Sequence, residues 1–400
     1  MQQMPNLASE LRPVVNQRLT EVEASGIRAF DQKISKIPGI VKLTIGEPDL
    51  NTPEHIKAAA VTSIVQNDSH YSAQRGTLAL RNAISGYLER SQELTYDPET
   101  EIVVTVGATE ALTATTFALL NPGDKVIVPT PTFALYFPII SLTGAIPVMV
   151  DTSADQFVLT PERLTEVLER EGDAVKAVLL NYPSNPTGVE YDVETVKGLA
   201  QVIREHHLYA ISDEIYAELT YDFDHYSIAK EIPERTILVN GLSKSHAMTG
   251  YRIGYVAAPA EVVANITKMH AFMVTAPSNP AQAAAAEALA NGDADPVEAK
   301  ESYRRRRDFI RDALMAMGIE TVAPQGAFYI FARIPAAYGQ DDVKFAEELA
   351  AKALVGGTPG SAFGAGGEGY IRFSYAASDE SLKLAMTRMS EFVGTEIGVH

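Results

Sequence analysis

The chain has 400 residues, of which 46% are hydrophobic, and this length favours a large core divided between two domains. It contains no cysteine, which excludes disulfides, thiolate zinc sites, iron–sulfur clusters and a cysteine nucleophile, and no metal site is expected. The net charge of −18 argues against nucleic acid or an anionic membrane surface as a partner.

The first residues, Met1 to Asn6, lack the basic region and apolar core of a secretory signal. We also find no apolar run long enough to span a bilayer. Together with the absence of cysteine, these features predict a cytoplasmic protein without a membrane partner.

The N-terminal segment up to about Lys36 has the pattern of an amphipathic arm and a first helix. Short apolar strands then alternate with helical stretches, and this spacing predicts βα units and a mostly parallel sheet. The predicted strands are 102–106, 125–128, 145–150, 174–180, 208–212 and 236–240.

The pattern changes at about residue 293, where a long charged helix is predicted over 297–317. A strand at 328–331, a helix around 343–354 and a last strand at 370–374 follow. The fold class is therefore α/β, with a large domain over 52–292 and a smaller α+β domain over 293–400, to which residues 1–51 contribute.

Lys244 follows a strongly apolar strand, and a lysine there is costly to desolvate unless its amine has a function, such as forming a Schiff base with a carbonyl cofactor. Asn185, Asp213 and Tyr216 also follow predicted strands. Ligands of open α/β sheets bind beyond the carboxyl ends of the strands, so we expect these side chains at one edge. Pyridoxal 5′-phosphate needs such a set: a lysine, a carboxylate for its ring nitrogen, and donors for its phenolic oxygen.

Three motifs occur in a fixed order along the chain. They are Asn185-Pro-Thr-Gly188, Asp213-Glu-Ile-Tyr216 and Ser243-Lys244-Ser-His-Ala-Met-Thr-Gly-Tyr-Arg252-Ile-Gly254-Tyr255. With them the chain resembles, from residue 43 to residue 374, the class I/II pyridoxal-phosphate-dependent aminotransferases of fold type I. Within this family it resembles the bacterial aromatic amino acid and N-acetyl-diaminopimelate aminotransferases. The resemblance implies a seven-stranded type of sheet in the large domain.

The resemblance also assigns roles around the cofactor. Lys244 would hold it, Asp213 would pair with its pyridine nitrogen, and Tyr216 and Asn185 would contact its phenolic oxygen. Phe133 would stack on the ring, although core packing explains a phenylalanine equally well. The strand–glycine–helix transition after residue 106 suits an anion, because a helix N-terminus presents unpaired donors. The expected phosphate contacts are Gly107, Ala108, Thr109, Ser243 and Arg252.

Two further residues are assigned to the substrate and to a partner subunit. Arg372 lies within an apolar strand, and a buried arginine needs an anion. By resemblance it binds the substrate α-carboxylate, with the Gly46 loop closing over it. Tyr71 resembles the tyrosine that reaches the partner subunit's phosphate, which implies a homodimer with shared sites. Gly241 departs from the family, which often has serine or threonine at that position.

The predicted activity is ping-pong transfer of an amino group from an L-amino acid, aromatic by resemblance, to a 2-oxo acid such as 2-oxoglutarate. An N-acetyl-LL-diaminopimelate donor, a broad donor range and a C–S β-lyase remain open alternatives. A non-catalytic regulator would need a DNA-binding module, for which the segment before Gly46 is too short and too little basic. A nucleotide-binding oxidoreductase would need a glycine fingerprint after its first strand.

Two motifs are set aside. Residues 364–369, Gly-Ala-Gly-Gly-Glu-Gly, match a dinucleotide pattern but precede a strand, and are interpreted as a flexible loop near the substrate. The arginine run 304–307 is interpreted as a solvated helix face, because acidic residues flank it on the same predicted helix.

Overall fold

The computed structural model describes residues 7–11, 16–22 and 26–396. In chain order its α-helices are α1 (Gly26–Ile34), α2 (Glu54–Val65), α3 (Leu78–Gln92), α4 (Gly107–Leu119), α5 (Tyr136–Ser141), α6 (Pro161–Glu171), α7 (Val193–Glu205), α8 (Ala260–Val274), α9 (Asn279–Asn291), α10 (Asp295–Ala316), α11 (Asp342–Glu348) and α12 (Asp379–Glu396). Its strands are β1 (Val41–Lys42), β2 (Ile102–Thr105), β3 (Lys125–Thr130), β4 (Ile146–Asp151), β5 (Val175–Asn181), β6 (Tyr209–Asp213), β7 (Thr236–Gly241), β8 (Gly254–Ala257), β9 (Tyr329–Arg333), β10 (Val355–Gly356), β11 (Thr358–Pro359) and β12 (Tyr370–Ser374).

A seven-stranded sheet forms the centre of the larger part of the molecule. Its strand order is β2-β8-β7-β6-β5-β3-β4, and all neighbouring pairs from β7 to β4 are parallel. Strand β8 runs antiparallel to both of its neighbours. The predicted mostly parallel sheet is thus confirmed, and its parallel strands bring the ends of β5, β6 and β7 to one edge.

Local sequence signals explain where the surrounding helices begin. The hydroxyl of Thr160 accepts a hydrogen bond from the Arg163 N–H, and Pro161 occupies the first turn of α6. The carboxylate of Asp192 caps α7 in the same way, by accepting from the Thr195 N–H. Strands β5 and β7 are apolar and buried along nearly their whole length because helices cover both faces of the sheet.

A second, three-stranded antiparallel sheet has the order β11-β12-β9. Helices α10 and α12 pack in one apolar core with it, in which Tyr303, Ile330, Phe345, Phe373 and Met389 are buried. Helix α11 continues directly into a π-helical turn, Leu349–Ala353, so the helix predicted around 343–354 consists of two segments of different pitch.

The N-terminal segment is joined to the C-terminal part of the chain. Strand β1 pairs in parallel with β10, and the Ser374 N–H donates to the carbonyl of Leu43 over 2.8 Å. The segment around β1 thus packs against the C-terminal part of the chain, and the division into domains at residues 52 and 293 stays a prediction.

The glycine-rich loop 364–369 lies against the edge of the large sheet. Gly364 and Gly366 have φ angles of +95° and +80°, which glycine adopts without strain. A Cβ atom on Gly366 would overlap the carboxylate of Asp151 at the end of β4. The Thr132 N–H also donates to the carbonyl of Phe363 over 2.8 Å. The loop expected to be flexible is therefore packed closely on the sheet.

The arginine run on α10 is only partly the solvated face that the sequence predicted. Arg304 pairs with Glu301 on the same helix. Arg306 bridges Asp49 and Asp379, and Arg307, whose side chain is buried, pairs with Asp222 and Asp308. The last two arginines thus tie α10 to other segments. No helix in the described part of the chain combines the length and apolar character needed to cross a bilayer.

Candidate active site

Asp213 lies at the end of β6, where three hydrogen bonds fix its position. Its strand partner in β5 is Asn181, whose Nδ2 donates to the Asp213 carbonyl over 3.0 Å. The Tyr136 hydroxyl, from the start of α5, donates to Asp213 Oδ2 over 2.8 Å, and the Ile215 N–H donates to Oδ1 over 3.3 Å. Burial raises the pKa of Asp213 to about 6, and the Tyr136 and Ile215 hydrogen bonds oppose this rise. Such a carboxylate is suited to balance a buried cation.

Lys244 follows β7 and points toward the same edge. Its Nζ donates to the Gly46 carbonyl over 2.6 Å and lies 5.7 Å and 5.5 Å from the ring centroids of Tyr216 and Phe328. Burial lowers the pKa of Lys244 to about 8, with a further lowering from the positive charges of nearby arginines. A larger fraction of this amine is therefore neutral near pH 7 than in an ordinary lysine, which favours reaction with a carbonyl group.

Arg372 is 2% exposed and is held by groups from four segments. Its Nη1 donates to Asn185 Oδ1 over 2.7 Å, and its Nη2 donates to the Thr44 carbonyl. The guanidinium carbon lies 4.4 Å from the Tyr329 ring centroid and 4.7 Å from that of Phe363. Its Nε is buried and has no hydrogen-bond partner among the described residues. None of the described carboxylates pairs with this guanidinium, and a buried cation without a counter-charge is costly, so Arg372 favours an anionic ligand.

Tyr216 and Tyr329 connect the two sheets across the site. Their hydroxyl oxygens are 2.7 Å apart, and both rings are buried. Gly46 lies beside this pair, because a Cβ atom on Gly46 would overlap the Tyr329 hydroxyl. The structure thus brings together Gly46, Asn185, Asp213, Tyr216, Lys244 and Arg372.

The expected phosphate contacts surround the start of α4. The N-cap residue is Val106, whose side chain cannot accept a hydrogen bond, and Gly107 begins the helix with φ +76°. A Cβ atom on Gly107 would overlap Arg252 Nη2, and one on Gly254 would lie 2.5 Å from the Ala108 nitrogen. The first-turn amides, those of Ala108 and Thr109 among them, therefore face a site that an arginine borders, as an anion requires.

Three predicted residues have less direct evidence. Ser243 is buried beside Lys244, while the hydroxyl of the neighbouring Ser245 bonds to His246 Nδ1 at 2.8 Å. Phe133 packs edge-on against Tyr136 with ring centroids 5.8 Å apart. Tyr71 is 90% exposed. The expected roles of these residues toward a cofactor and a partner subunit remain proposals.

Sequence reasoning missed several residues of this site. Tyr136, Phe328, Tyr329 and Phe363 have no motif that separates them from core aromatics, and Thr44 contributes only its carbonyl. Asn181 could have been found, since it ends an apolar strand just as Asp213 does.

Comparison with known proteins identifies the family. The sequence profile described as "Aminotransferase class I and II" matches residues 38–389. The chain belongs to this family. It is a pyridoxal-5′-phosphate-dependent aminotransferase of fold type I, as its sequence motifs predicted.

Curated relatives of this aminotransferase carry different substrate names. A protein of Bacillus subtilis (strain 168) named "Probable N-acetyl-LL-diaminopimelate aminotransferase" is 42% identical over 380 residues, covering 95% of this chain and 96% of the relative. The "Aspartate/prephenate aminotransferase" of Thermus thermophilus is 40% identical, covering 89% and 91%. The solved aromatic aminotransferase of Pyrococcus horikoshii OT3 superposes with a TM-score of 0.86 at 39% identity, covering 93% and 100%. All three names specify an aminotransferase, but they differ in the amino donor.

The site fits pyridoxal 5′-phosphate by its own geometry. The edge offers a desolvated amine on Lys244 and a buried carboxylate on Asp213. The uncapped start of α4 and Arg252 offer donors for a phosphate. Gly107 and Gly254 allow Arg252 and β8 to approach this helix start more closely than side chains would permit.

Proposed function

We propose that this aminotransferase transfers the amino group of an aromatic L-amino acid to a 2-oxo acid such as 2-oxoglutarate. The observation that carries the proposal is the buried Arg372, whose Nε lacks a partner among the described residues and whose guanidinium lies between two aromatic rings. A planar cation held in this way suits the α-carboxylate that every amino acid donor carries, so it supports transfer of an amino group and does not select the donor. The aromatic donor class is supported by the similarity to a solved aromatic aminotransferase.

We assign the following roles to the residues of the site. Lys244 would hold the cofactor and, once displaced by the substrate, its amine would take the proton from the substrate Cα and return it to the cofactor, acting as base and then as acid. Asp213 would hold the proton on the ring nitrogen by its negative charge. When bound, pyridoxal 5′-phosphate supplies a carbonyl group that accepts the amino group and a ring that withdraws electrons from Cα.

The remaining roles concern orientation. Asn185 and Tyr216 would donate to the phenolic oxygen, and Arg372 would orient the α-carboxylate, with Gly46 closing over it. Phe133 would pack against the cofactor ring. The phosphate would be held by Gly107, Ala108, Thr109, Ser243 and Arg252.

N-acetyl-LL-diaminopimelate is the second candidate donor. The relative that carries this substrate in its name shares 42% identity with the chain over nearly its whole length. A distal N-acetylated chain would demand polar contacts where an aromatic donor demands apolar ones, so the two donors should be separable by a direct comparison of kcat/KM.

The deciding experiment mixes the cofactor-loaded enzyme with phenylalanine, aspartate and N-acetyl-LL-diaminopimelate in separate reactions. We expect phenylalanine to bleach the yellow absorbance of the loaded enzyme fastest, and 2-oxoglutarate to restore it. A higher kcat/KM for N-acetyl-LL-diaminopimelate or aspartate would reject the aromatic assignment but keep the aminotransferase. Release of ammonia from cystathionine without any acceptor would instead point to the β-lyase.

A second prediction concerns Lys244. We expect Lys244→Ala to lose turnover by more than about a thousandfold, because both the covalent hold on the cofactor and the proton-transfer group are removed. Cofactor should still bind non-covalently through the phosphate contacts, which dialysis and absorbance would measure. The matched control is Lys197→Ala, at an exposed lysine on α7. Retention of wild-type turnover by Lys244→Ala would contradict the assigned role.

We also propose that the enzyme is a homodimer whose subunits share their sites. The support is the set of large apolar side chains that the single chain leaves in solvent on α2, on the following loop and on α8: Val61, Ile64, Val65, Tyr71 and Phe272. Phe272 and Tyr71 are 91% and 90% exposed, which is unusual for aromatic rings and indicates an interface. Tyr71 is the residue that we expect to reach the partner's phosphate site.

A further inference from the structure

A buried ion cluster lies on the far side of Asp213 and has no part in the roles assigned so far. His225 Nε2 lies 2.9 Å from Glu214 Oε2, and its Nδ1 lies 3.2 Å from Glu190 Oε2. The side chains of both glutamates are fully buried, and that of His225 is 5% exposed. One imidazole thus bridges two carboxylates within the protein interior.

The cluster is saturated with hydrogen bonds. Ser212 and Ser227 donate to Glu214 Oε1 over 2.8 Å and 2.7 Å. Thr220 donates to Glu190 Oε2 over 2.9 Å. Two neighbouring carboxylates without a cation would be very costly to bury, so this network requires a charged imidazolium at its centre. The two carboxylates raise the pKa of His225 to about 10 against the opposing effect of burial.

The two glutamates belong to the segments that carry the site. Glu214 directly follows Asp213, and its negative charge is one of the causes that raise the pKa of Asp213. Glu190 closes the loop that carries Asn185, and its N–H donates to Gln325 Oε1 over 3.1 Å, just ahead of β9 and Tyr329. The cluster therefore connects three segments: the end of β6, the loop that carries Asn185, and the residues that precede β9.

We propose that His225 is a positioning residue for amino transfer, which joins Glu214 to Glu190 and so fixes the strand end carrying Asp213 relative to the loop carrying Asn185. The proposal rests on the cofactor roles assigned to Asp213 and Asn185. His225 itself is too fully engaged with the two carboxylates to take part in the chemistry.

Other groups around His225 do not replace its charge. The Tyr182 ring lies 5.2 Å from the imidazole, and burial keeps the pKa of this tyrosine well above its ordinary value, so it stays neutral. On the outer side, the charged residues that line the same surface groove are Asp192, Glu194, Asp224 and Lys230. Lys230 pairs with Glu93, so its charge is already partly compensated.

The pH dependence follows from the raised pKa of His225. Its stabilising contribution is complete below the unfolded-state value of 6.5 and is lost as the pH rises through about 10. In the folded protein the imidazole stays protonated up to about pH 10, so the cofactor affinity of the wild-type enzyme should not vary with this cluster between pH 7 and 9. In His225→Gln the cation is gone, so a carboxylate must take up a proton at low pH and must be buried as an unbalanced charge at higher pH.

The test measures the dissociation constant of pyridoxal 5′-phosphate, by absorbance and dialysis, from pH 6 to pH 9. We expect His225→Gln to weaken binding by about tenfold or more at pH 9, and by less at pH 6, because an unbalanced buried charge disturbs both segments. The double variant His225→Gln/Glu190→Gln restores the net charge of the wild-type cluster while Glu214 still lacks a cation, so it should bind the cofactor several-fold more tightly than His225→Gln at pH 9. His206→Gln, at an exposed histidine, is the matched control.

The outcomes distinguish a positioning role of His225 from a purely structural role, and they also test the assigned cofactor site independently. A uniform loss in His225→Gln that the double variant does not reverse, or no loss at all, overturns the positioning role. If the single variant does not fold, Glu190→Gln carries the test, because it keeps the His225–Glu214 pair and removes only the charged link to the asparagine loop. Wild-type cofactor affinity in Glu190→Gln would then overturn the positioning role. Asp213→Ala is measured in parallel: wild-type turnover in that variant would reject the assigned site itself, independently of His225.

Discussion

At the scale of single residues, Asp213 shows two opposing effects on one carboxylate. Burial raises its pKa to about 6, while the Tyr136 hydroxyl and the Ile215 N–H stabilise the charged form. In the chain without cofactor, ionisation of this group costs stability, a cost that is absent below pH 3.8 and complete above about 6. A cation paired with Asp213 removes that cost, so Asp213 is prepared for a positively charged ring nitrogen.

Tyr136→Phe tests this balance. Loss of the 2.8 Å hydrogen bond should raise the pKa of Asp213 further, so that the carboxylate becomes neutral at a higher pH. We expect cofactor affinity near pH 6.5 to fall by about tenfold, as a hydrogen bond to a charged group is worth roughly 1.5 to 3 kcal/mol, and to recover as the pH rises. Titration of cofactor binding between pH 5.5 and 8.5 measures the shift.

The control is Tyr209→Phe, which removes a hydroxyl from the opposite end of the same strand, β6. Its titration curve should coincide with that of the wild-type enzyme. An unshifted curve for Tyr136→Phe would mean that Tyr136 does not govern the charge of Asp213.

The sequence predicted the chemically distinctive residues of the site and missed their supports. Lys244, Asp213 and Asn185 follow apolar strands, and the rule that parallel strands end at one edge was enough to group them. Tyr136 contacts Asp213, which lies 77 residues further along the chain, and Tyr329 contacts Tyr216, which lies 113 residues before it. No local pattern separates such a tyrosine from one that fills the core, because both are apolar rings in apolar segments.

At the scale of elements, the segment before α2 reaches the site with its backbone. Gly46 gives its carbonyl to Lys244 Nζ, and it lies so close to the Tyr329 hydroxyl that a side chain cannot be placed there without movement. Gly46 therefore contacts both Tyr329 on β9 and Lys244 after β7. These segments can lie this close together because Gly46 has no Cβ atom.

We therefore expect Gly46→Ala to lower kcat/KM for amino donors by more than about tenfold, because the added methyl group must displace either Tyr329 or the carbonyl that Lys244 contacts. The thermal midpoint should change much less than the activity. Gly26→Ala is the matched control, since its Cβ would meet Ala362 at an ordinary distance of 3.7 Å. Full activity in Gly46→Ala would show that the loop is displaced from Tyr329 during turnover.

The elements themselves were largely predictable. The six apolar strands expected between residues 102 and 240 correspond to β2 to β7, since each is a compact run of β-branched and aliphatic residues. Strand β8 was missed: it has four residues, begins with Gly254 and lies within the lysine motif. Strands β1, β10 and β11 have two residues each, which is too short for any periodicity. The domain boundaries at 52 and 293 stay predictions.

At the scale of the whole molecule, the site is positively charged although the chain is strongly acidic. The chain carries −18, yet the site gathers Lys244, Arg252 and Arg372 within electrostatic reach of one another. Arg372 is buried and Lys244 is partly buried, whereas Arg252 is exposed. We expect the contact of a substrate carboxylate with Arg372 to weaken less with added salt than binding to an exposed basic patch, because a buried charge is poorly screened. The cytoplasmic location stays a prediction.

The shared-site homodimer can be tested by mixing inactive subunits. Tyr71→Ala and Lys244→Ala should each be inactive as homodimers. In a mixed dimer, the site that keeps Lys244 receives an intact Tyr71 from its partner, so random mixing of equal amounts should restore about a quarter of the wild-type activity. Mixing Asp213→Ala with Lys244→Ala should restore none, because both losses fall within sites of single subunits. Absence of recovery in the first mixture would reject the exchange of Tyr71.

The rings of Tyr329 and Phe363 hold the Arg372 guanidinium before any substrate arrives. A side chain that is already ordered loses little conformational entropy on binding, so most of the energy of the carboxylate contact remains available for affinity. Every α-amino acid carries that carboxylate, so its contact with Arg372 favours all donors equally. Discrimination among them is left to the residues that meet the rest of the substrate. Descendants of one ancestor could thus acquire new donors by changing that part of the pocket, without rebuilding the arginine and its two rings.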